Sequence, residues 1–117
     1  MSELMFPKKG KTKKSKKKHP QSILQERNGH CFLCMLEDDY RIHKDLHEHH
    51  VFNGPDRDAC EEEGLTVYLC IKHHIDGPAA VHHNRENDLT LKQYAQRIWE
   101  ETHTREEFQK RFRKSYL

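Results

Sequence analysis

No stretch of this chain approaches the roughly 20 consecutive apolar residues that a membrane-spanning helix needs, and the opening MSELMFPKKG lacks the apolar run of a secretory signal. The expectation is therefore a protein of the cytoplasm. Apolar residues are scarce throughout: 33% of the 117 residues are hydrophobic against 34% charged. Burial of so little apolar surface leaves a core of this size marginal, so a single small domain here calls for a staple of another kind.

Cysteine is also sparse, with only Cys31, Cys34, Cys60 and Cys70, but it comes with 11 histidines. Four thiols can form two disulfides in an oxidising compartment. In a reducing one, thiols accompanied by imidazoles read as metal ligands first. The segment Cys31-Phe32-Leu33-Cys34 sets two thiols three apart around a turn, and Cys70-Ile71-Lys72-His73 repeats the same separation. Two such turns supply the four corners of a tetrahedral Cys3His zinc site. The alternative, that one pair is coincidental and its cysteines are small buried hydrophobes, fits the shortage of core less well. Cys60 lies in the polar run Asp58-Ala59-Cys60-Glu61, outside either turn, and reads as a free thiol.

The net charge of +2 hides an asymmetry. Residues 1–19 carry eight lysines, among them Lys13, Lys14, Lys16, Lys17 and Lys18, against the one carboxylate of Glu3; their +7 leaves −5 for the remainder. Such an arm repels itself and stays extended, and its ammonium groups can displace counterions from a phosphate backbone. This favours a nucleic-acid partner over a merely solubilising tail. The organisation expected is a disordered lysine-rich arm over 1–19 and one domain over 20–117.

Within that domain, Pro20 followed by QSILQER predicts a short helix stopped at Asn28-Gly29. LHEHHVF at 46–52 and LTVYLC at 65–70 read as two strands joined by a polar loop of about a dozen residues, long for a hairpin. Strand alternation sends His47 and His49 to one face and His50 to the other. Leu91, Tyr94, Ala95, Ile98 and Trp99 share a helical face, with Asp88 as the cap. Thr104 and Glu107 form a capping-box pattern ahead of Phe108 and Phe112. The fold class that follows is α+β: a small zinc-stapled unit of two strands and a helix, with flanking helices.

Taken together, Cys31-x2-Cys34, then His49-His50-Val51-Phe52, then Leu69-Cys70-x2-His73-His74 resemble the zinc-knuckle HNH (ββα-metal) endonucleases, particularly small phage-encoded members, over about residues 31–84. The resemblance implies a metal-dependent nuclease that hydrolyses phosphodiester bonds of DNA. It implies His50 as general base and His49 and His74 as ligands of a catalytic ion, Mg2+, Mn2+ or Zn2+, with His82 as a further ligand from Ala80-Val81-His82-His83-Asn84. The chemistry is coherent, because a neutral imidazole can take a proton from water and a divalent ion can stabilise charge on the phosphate. The family's middle asparagine would fall at Gly64-Leu65-Thr66, where none occurs, leaving Asn53 or Asn84 as candidates for its role. Arg57, Arg85 and Lys72 stand near the site in sequence and are balanced between phosphate contacts and solvated surface. The alternative function is a non-catalytic zinc module that binds nucleic acid or a phage or host protein.

Overall fold

The computed structural model describes residues 21–117; the basic arm, with Lys13, Lys14, Lys16, Lys17 and Lys18, lies outside the described residues, as does Pro20. The described chain is α+β. Its sheet is one antiparallel pair, β1 (His47–His50) and β2 (Thr66–Leu69), registered so that His47 faces Leu69 and His50 faces Thr66. Around it stand five α-helices: α1 (Phe32–Leu36), α2 (Arg57–Glu62), α3 (Ile71–His74), α4 (Arg85–Trp99) and α5 (Arg105–Phe112). Among the described residues, none of these helices is long and apolar enough to cross a membrane.

A lone two-stranded ribbon is marginal in water, and the helices supply what it lacks. β2 is covered on both faces, with Thr66, Val67 and Leu69 all buried. Val51 and Phe52, just past β1, are sealed with Leu65 into the core, against Leu91, Ala95 and Trp99 of α4 and Phe108 and Phe112 of α5. The rings of Phe52, Phe108 and Phe112 pack with centroids 4.8–5.6 Å apart.

Three local expectations change. The segment from residue 21 is not a helix. It is an irregular strap that satisfies the free edge of β2: Ser22 Oγ donates to the Thr66 carbonyl, and the Tyr68 amide donates to Gln25 Oε1 at 2.8 Å. Those backbone groups of β2 would otherwise lack partners, and the apolar pattern of a seven-residue stretch cannot outweigh them. Gly29 does take a positive φ of 90°, in a turn and not at a helix end.

The polar loop between the strands folds into a 3-10 turn, Gly54–Asp56, followed by α2. Pro55 opens that turn, and Gly64, at φ 72°, stops α2. A Cβ at Gly64 would stand 2.6 Å from the Gln21 carbonyl oxygen, so the strap and the α2 stop both require glycine here.

α4 begins one turn earlier than the hydrophobic period indicated. Its cap is Asn84, whose side chain accepts from the Asn87 amide at 2.9 Å, while Asp88 pairs with Lys92 at 2.9 Å one turn on. α5 starts where the capping box placed it, with Thr104 accepting from the Glu107 amide and Glu107 returning to the Thr104 amide at 2.8 Å.

Candidate metal centres

Cys31 and Cys70 each stand in the N-cap position of a short helix in extended backbone, and Cys34 and His73 follow three residues later on the first turn. The two turns therefore present the same pair geometry, and they face each other. His73 Nδ1 lies 3.4 Å from each of the three sulfurs, and Cys34 Sγ lies 3.9 Å from Cys70 Sγ. Bond lengths of about 2.3 Å to sulfur and 2.0–2.1 Å to nitrogen make the edges of a tetrahedral zinc site about 3.8 Å between sulfurs and about 3.5 Å between sulfur and nitrogen. The buried Cys31, Cys34, Cys70 and His73 cluster could thus hold a zinc ion.

The surroundings suit that role. His73 Nε2, on the ring's far side, is 3.2 Å from Glu37 Oε2, and His43 Nε2 is 3.6 Å from Cys34 Sγ. A carboxylate on the second imidazole nitrogen fixes the tautomer and ring plane of a ligating histidine. Burial, then the neighbouring thiols, pushes Cys34 well above the usual thiol range, and burial likewise raises Cys31. Three thiols packed this closely need a cation before they can ionise.

A second cluster forms on the other side of α3. His49 from β1, His74 from α3 and His82 from the loop before α4 bring one ring nitrogen each within 4.8 Å of one another. His74 Nε2 and His82 Nε2 are 3.3 Å apart. His49 is buried, and its Nε2 is sealed from solvent without a hydrogen-bond partner. Burial first, then the imidazoles of His74 and His82, depresses its pKa to about 3, and burial lowers that of His74 as well. Imidazoles converging on one point, one of them with an orphaned buried nitrogen, fit a metal ion better than they fit one another. The set has three nitrogens and no carboxylate, which suits zinc and its first-row neighbours and suits magnesium poorly.

His50 turns to the opposite face of β1, as alternation requires, and its Nε2 stands 2.9 Å from Glu61 Oε1 of α2. Beside the cluster, a groove of about 340 Å³ is lined by His49, His82, Asn53, Asn84, Arg85 and Lys92 among others. No family model matches the chain, nor does any curated protein or solved structure.

The structure brings together both ligand sets read from the sequence, and it separates the candidate phosphate contacts. Arg85 lines the groove, Arg57 is exposed at the start of α2, and Lys72 borders a different cleft beside Cys34, Cys70 and His73. Asn84 is engaged at the head of α4, its amide donating to the Pro78 carbonyl at 3.2 Å, while Asn53 lines the groove. Cys60 is fully buried, with its thiol donating to the Leu65 carbonyl at 2.9 Å and its pKa pushed up to about 11 by burial, so it stands apart from both clusters.

Sequence reasoning missed Glu37, His43, His47 and Glu61. Glu37 caps the C-terminus of α1 and His43 lies in the loop beyond it, and no spacing rule reports that both turn toward the thiol cluster. The signal for His47 was present in its alternation with His49, and that for Glu61 only in the unrecognised α2.

Proposed function

We propose that this chain is a metal-dependent nuclease of the HNH type, hydrolysing phosphodiester bonds of DNA, with a structural zinc at Cys31, Cys34, Cys70 and His73. The observation that carries the reading is the convergence of His49, His74 and His82, with the unpartnered Nε2 of His49, the residue that precedes His50 on β1. A divalent ion held by those three imidazoles would stabilise the charge that develops on the attacked phosphate and the leaving oxygen. Zn2+ or Mn2+ suits the donor set better than Mg2+.

His50 is the general base. With its Nε2 proton donated to Glu61, its Nδ1 lone pair is left to accept a proton from water. Glu61 thereby orients the base from α2, a role for which the sequence offers no asparagine at 64–66. Arg85 and Lys92 border the groove where a phosphate would approach the cluster, and the lysines of residues 1–19 supply sequence-independent attraction to the backbone.

Supercoiled plasmid with Zn2+, Mn2+ or Mg2+ tests the proposal. Wild type nicks it and His50→Ala does not; equal nicking by the two, or none by wild type, refutes the assignment. A second reading, a non-catalytic module for nucleic acid or a protein, is favoured by one observation: Asn84 is committed to capping α4 and is withdrawn from any reacting centre. Salt-dependent DNA binding without nicking by any metal-loaded form would select it.

A further inference from the structure

His74 has two ring nitrogens, and each meets a different histidine at a different distance. Its Nε2 lies 3.3 Å from His82 Nε2, and its Nδ1 lies 2.8 Å from His47 Nδ1. Two imidazole nitrogens bound to one tetrahedral zinc at about 2.0–2.1 Å stand about 3.3–3.4 Å apart. Two nitrogens sharing one proton stand roughly 2.7–3.2 Å apart. The first separation fits joint ligation and the second a hydrogen bond. One ring cannot direct both nitrogens at the same ion, so the two contacts have different purposes.

We propose that His47 is the positioning residue of the second metal site: it accepts the Nδ1–H of His74, which fixes the tautomer and ring plane that aim the His74 Nε2 lone pair at the ion. The inference rests on the reading of His49, His74 and His82 as a metal site, and not on that site being catalytic.

The backbone explains how one strand does both jobs. His47 and His49 are two apart on β1 and share a face, and His74 lies close to both, with ring centroids 5.0 Å and 5.3 Å away. β1 thus supplies a ligand and, one alternation earlier, the support for another ligand. The arrangement repeats what Glu37 does for His73 in the first cluster, where the nitrogen away from the thiols is also engaged. His47 offers an imidazole nitrogen where such supports are usually carboxylates or carbonyls. It holds the ring without adding negative charge beside the ion.

The test is metal titration of the full chain with its Cys3His site filled, using Zn2+ or Co2+ against a chromophoric chelator. Wild type takes up a second ion. His47→Ala weakens that second ion by about 10–100-fold, the usual cost of losing such a support, and leaves the first unchanged. His47→Gln, which restores an acceptor, recovers most of the loss, whereas His49→Gln does not restore wild-type uptake. Second-ion affinity unchanged in His47→Ala, or equal losses in His47→Ala and His47→Gln, overturns the proposal.

Should His47→Ala fold poorly, long-range nitrogen–proton correlations on wild type decide the question. A His74 ring protonated on Nδ1 supports the assignment, and one protonated on Nε2 refutes it. Absence of a second ion in wild type overturns the proposal together with the metal site. A second ion without plasmid nicking refutes only the nuclease reading and leaves the role of His47 standing.

Discussion

His73 and His74 are adjacent in the chain, yet they serve different clusters: His73 turns Nδ1 to three sulfurs at 3.4 Å, and His74 turns Nε2 to His82 at 3.3 Å. The four-residue α3 is therefore a shared wall. It is too short to hold its shape by its own hydrogen bonds, so a zinc ion held by His73 would brace the backbone that carries His74, while His47 aims the ring.

The first prediction follows from that wall. A strong chelator that strips the Cys3His site removes binding at the second site too, because His74 loses its support. Structural zinc contributes about 10–16 kcal/mol in small zinc domains, as much as or more than the usual 5–15 kcal/mol net stability of a whole domain. The cooperative thermal transition should disappear on chelation and return with Zn2+. Calorimetry with and without chelator measures this, and an unmoved transition would contradict it.

Removing Glu61 separates orientation from chemistry. His50→Ala deletes the proposed base, and general-base catalysis is worth about 10²–10⁴-fold. Glu61→Ala removes the charge-assisted hydrogen bond to His50, worth about 1.5–3 kcal/mol, so nicking should fall about 10–100-fold, less than in His50→Ala. The loss should appear in kcat with KM nearly unchanged. Kinetics on a short duplex with the second ion saturating provide the check; a loss confined to KM would place Glu61 in substrate binding.

The burial of His49 makes stability fall as the solution is acidified. Its folded pKa, about 3, lies below the ordinary imidazole value of 6.5. Between those values the unfolded chain binds the proton and the folded chain does not, so stability is full above about pH 6.5 and is lost progressively as pH falls toward 3. The slope is about 1.4 kcal/mol per pH unit at most, or roughly 2 kcal/mol between pH 6.5 and 5. Urea melts of wild type and His49→Gln across that interval test the sign. The variant should show the shallower dependence.

The parts of this molecule that could be read from sequence are those set by short-range pattern. Cys31-x2-Cys34 and Cys70-x2-His73 are each a single turn, and the Thr104–Glu107 capping box is local chemistry, so both appear where their residues indicate. The strand alternation that puts His47 and His49 on one face and His50 on the other also holds. What failed depended on partners distant in the chain. Ser22 and Gln25 look like part of a helix until β2, more than 40 residues on, offers its unpaired edge. Asp88 looks like a cap because the apolar period begins at Leu89, whereas Asn84 caps a first turn that carries no apolar signal. Pairs such as His73 with Glu37 and His47 with His74 are made by the closing of the fold, and no residue spacing announces them.

α5 offers a prediction that compares two kinds of stabilisation within one helix. Thr104→Ala removes the cap, which costs about 1 kcal/mol. Phe108→Ala empties a fully buried position between Phe52, Trp99 and Phe112, and truncations of this kind cost about 3–5 kcal/mol. Phe52 is two residues beyond His50, so the cavity also loosens the end of the strand that carries the proposed base. Phe108→Ala should therefore lower nicking as well as stability at a temperature where it remains folded, while Thr104→Ala lowers stability alone. Equal activity in the two variants, compared at matched folded fractions, would show that α5 closes the core without steadying β1.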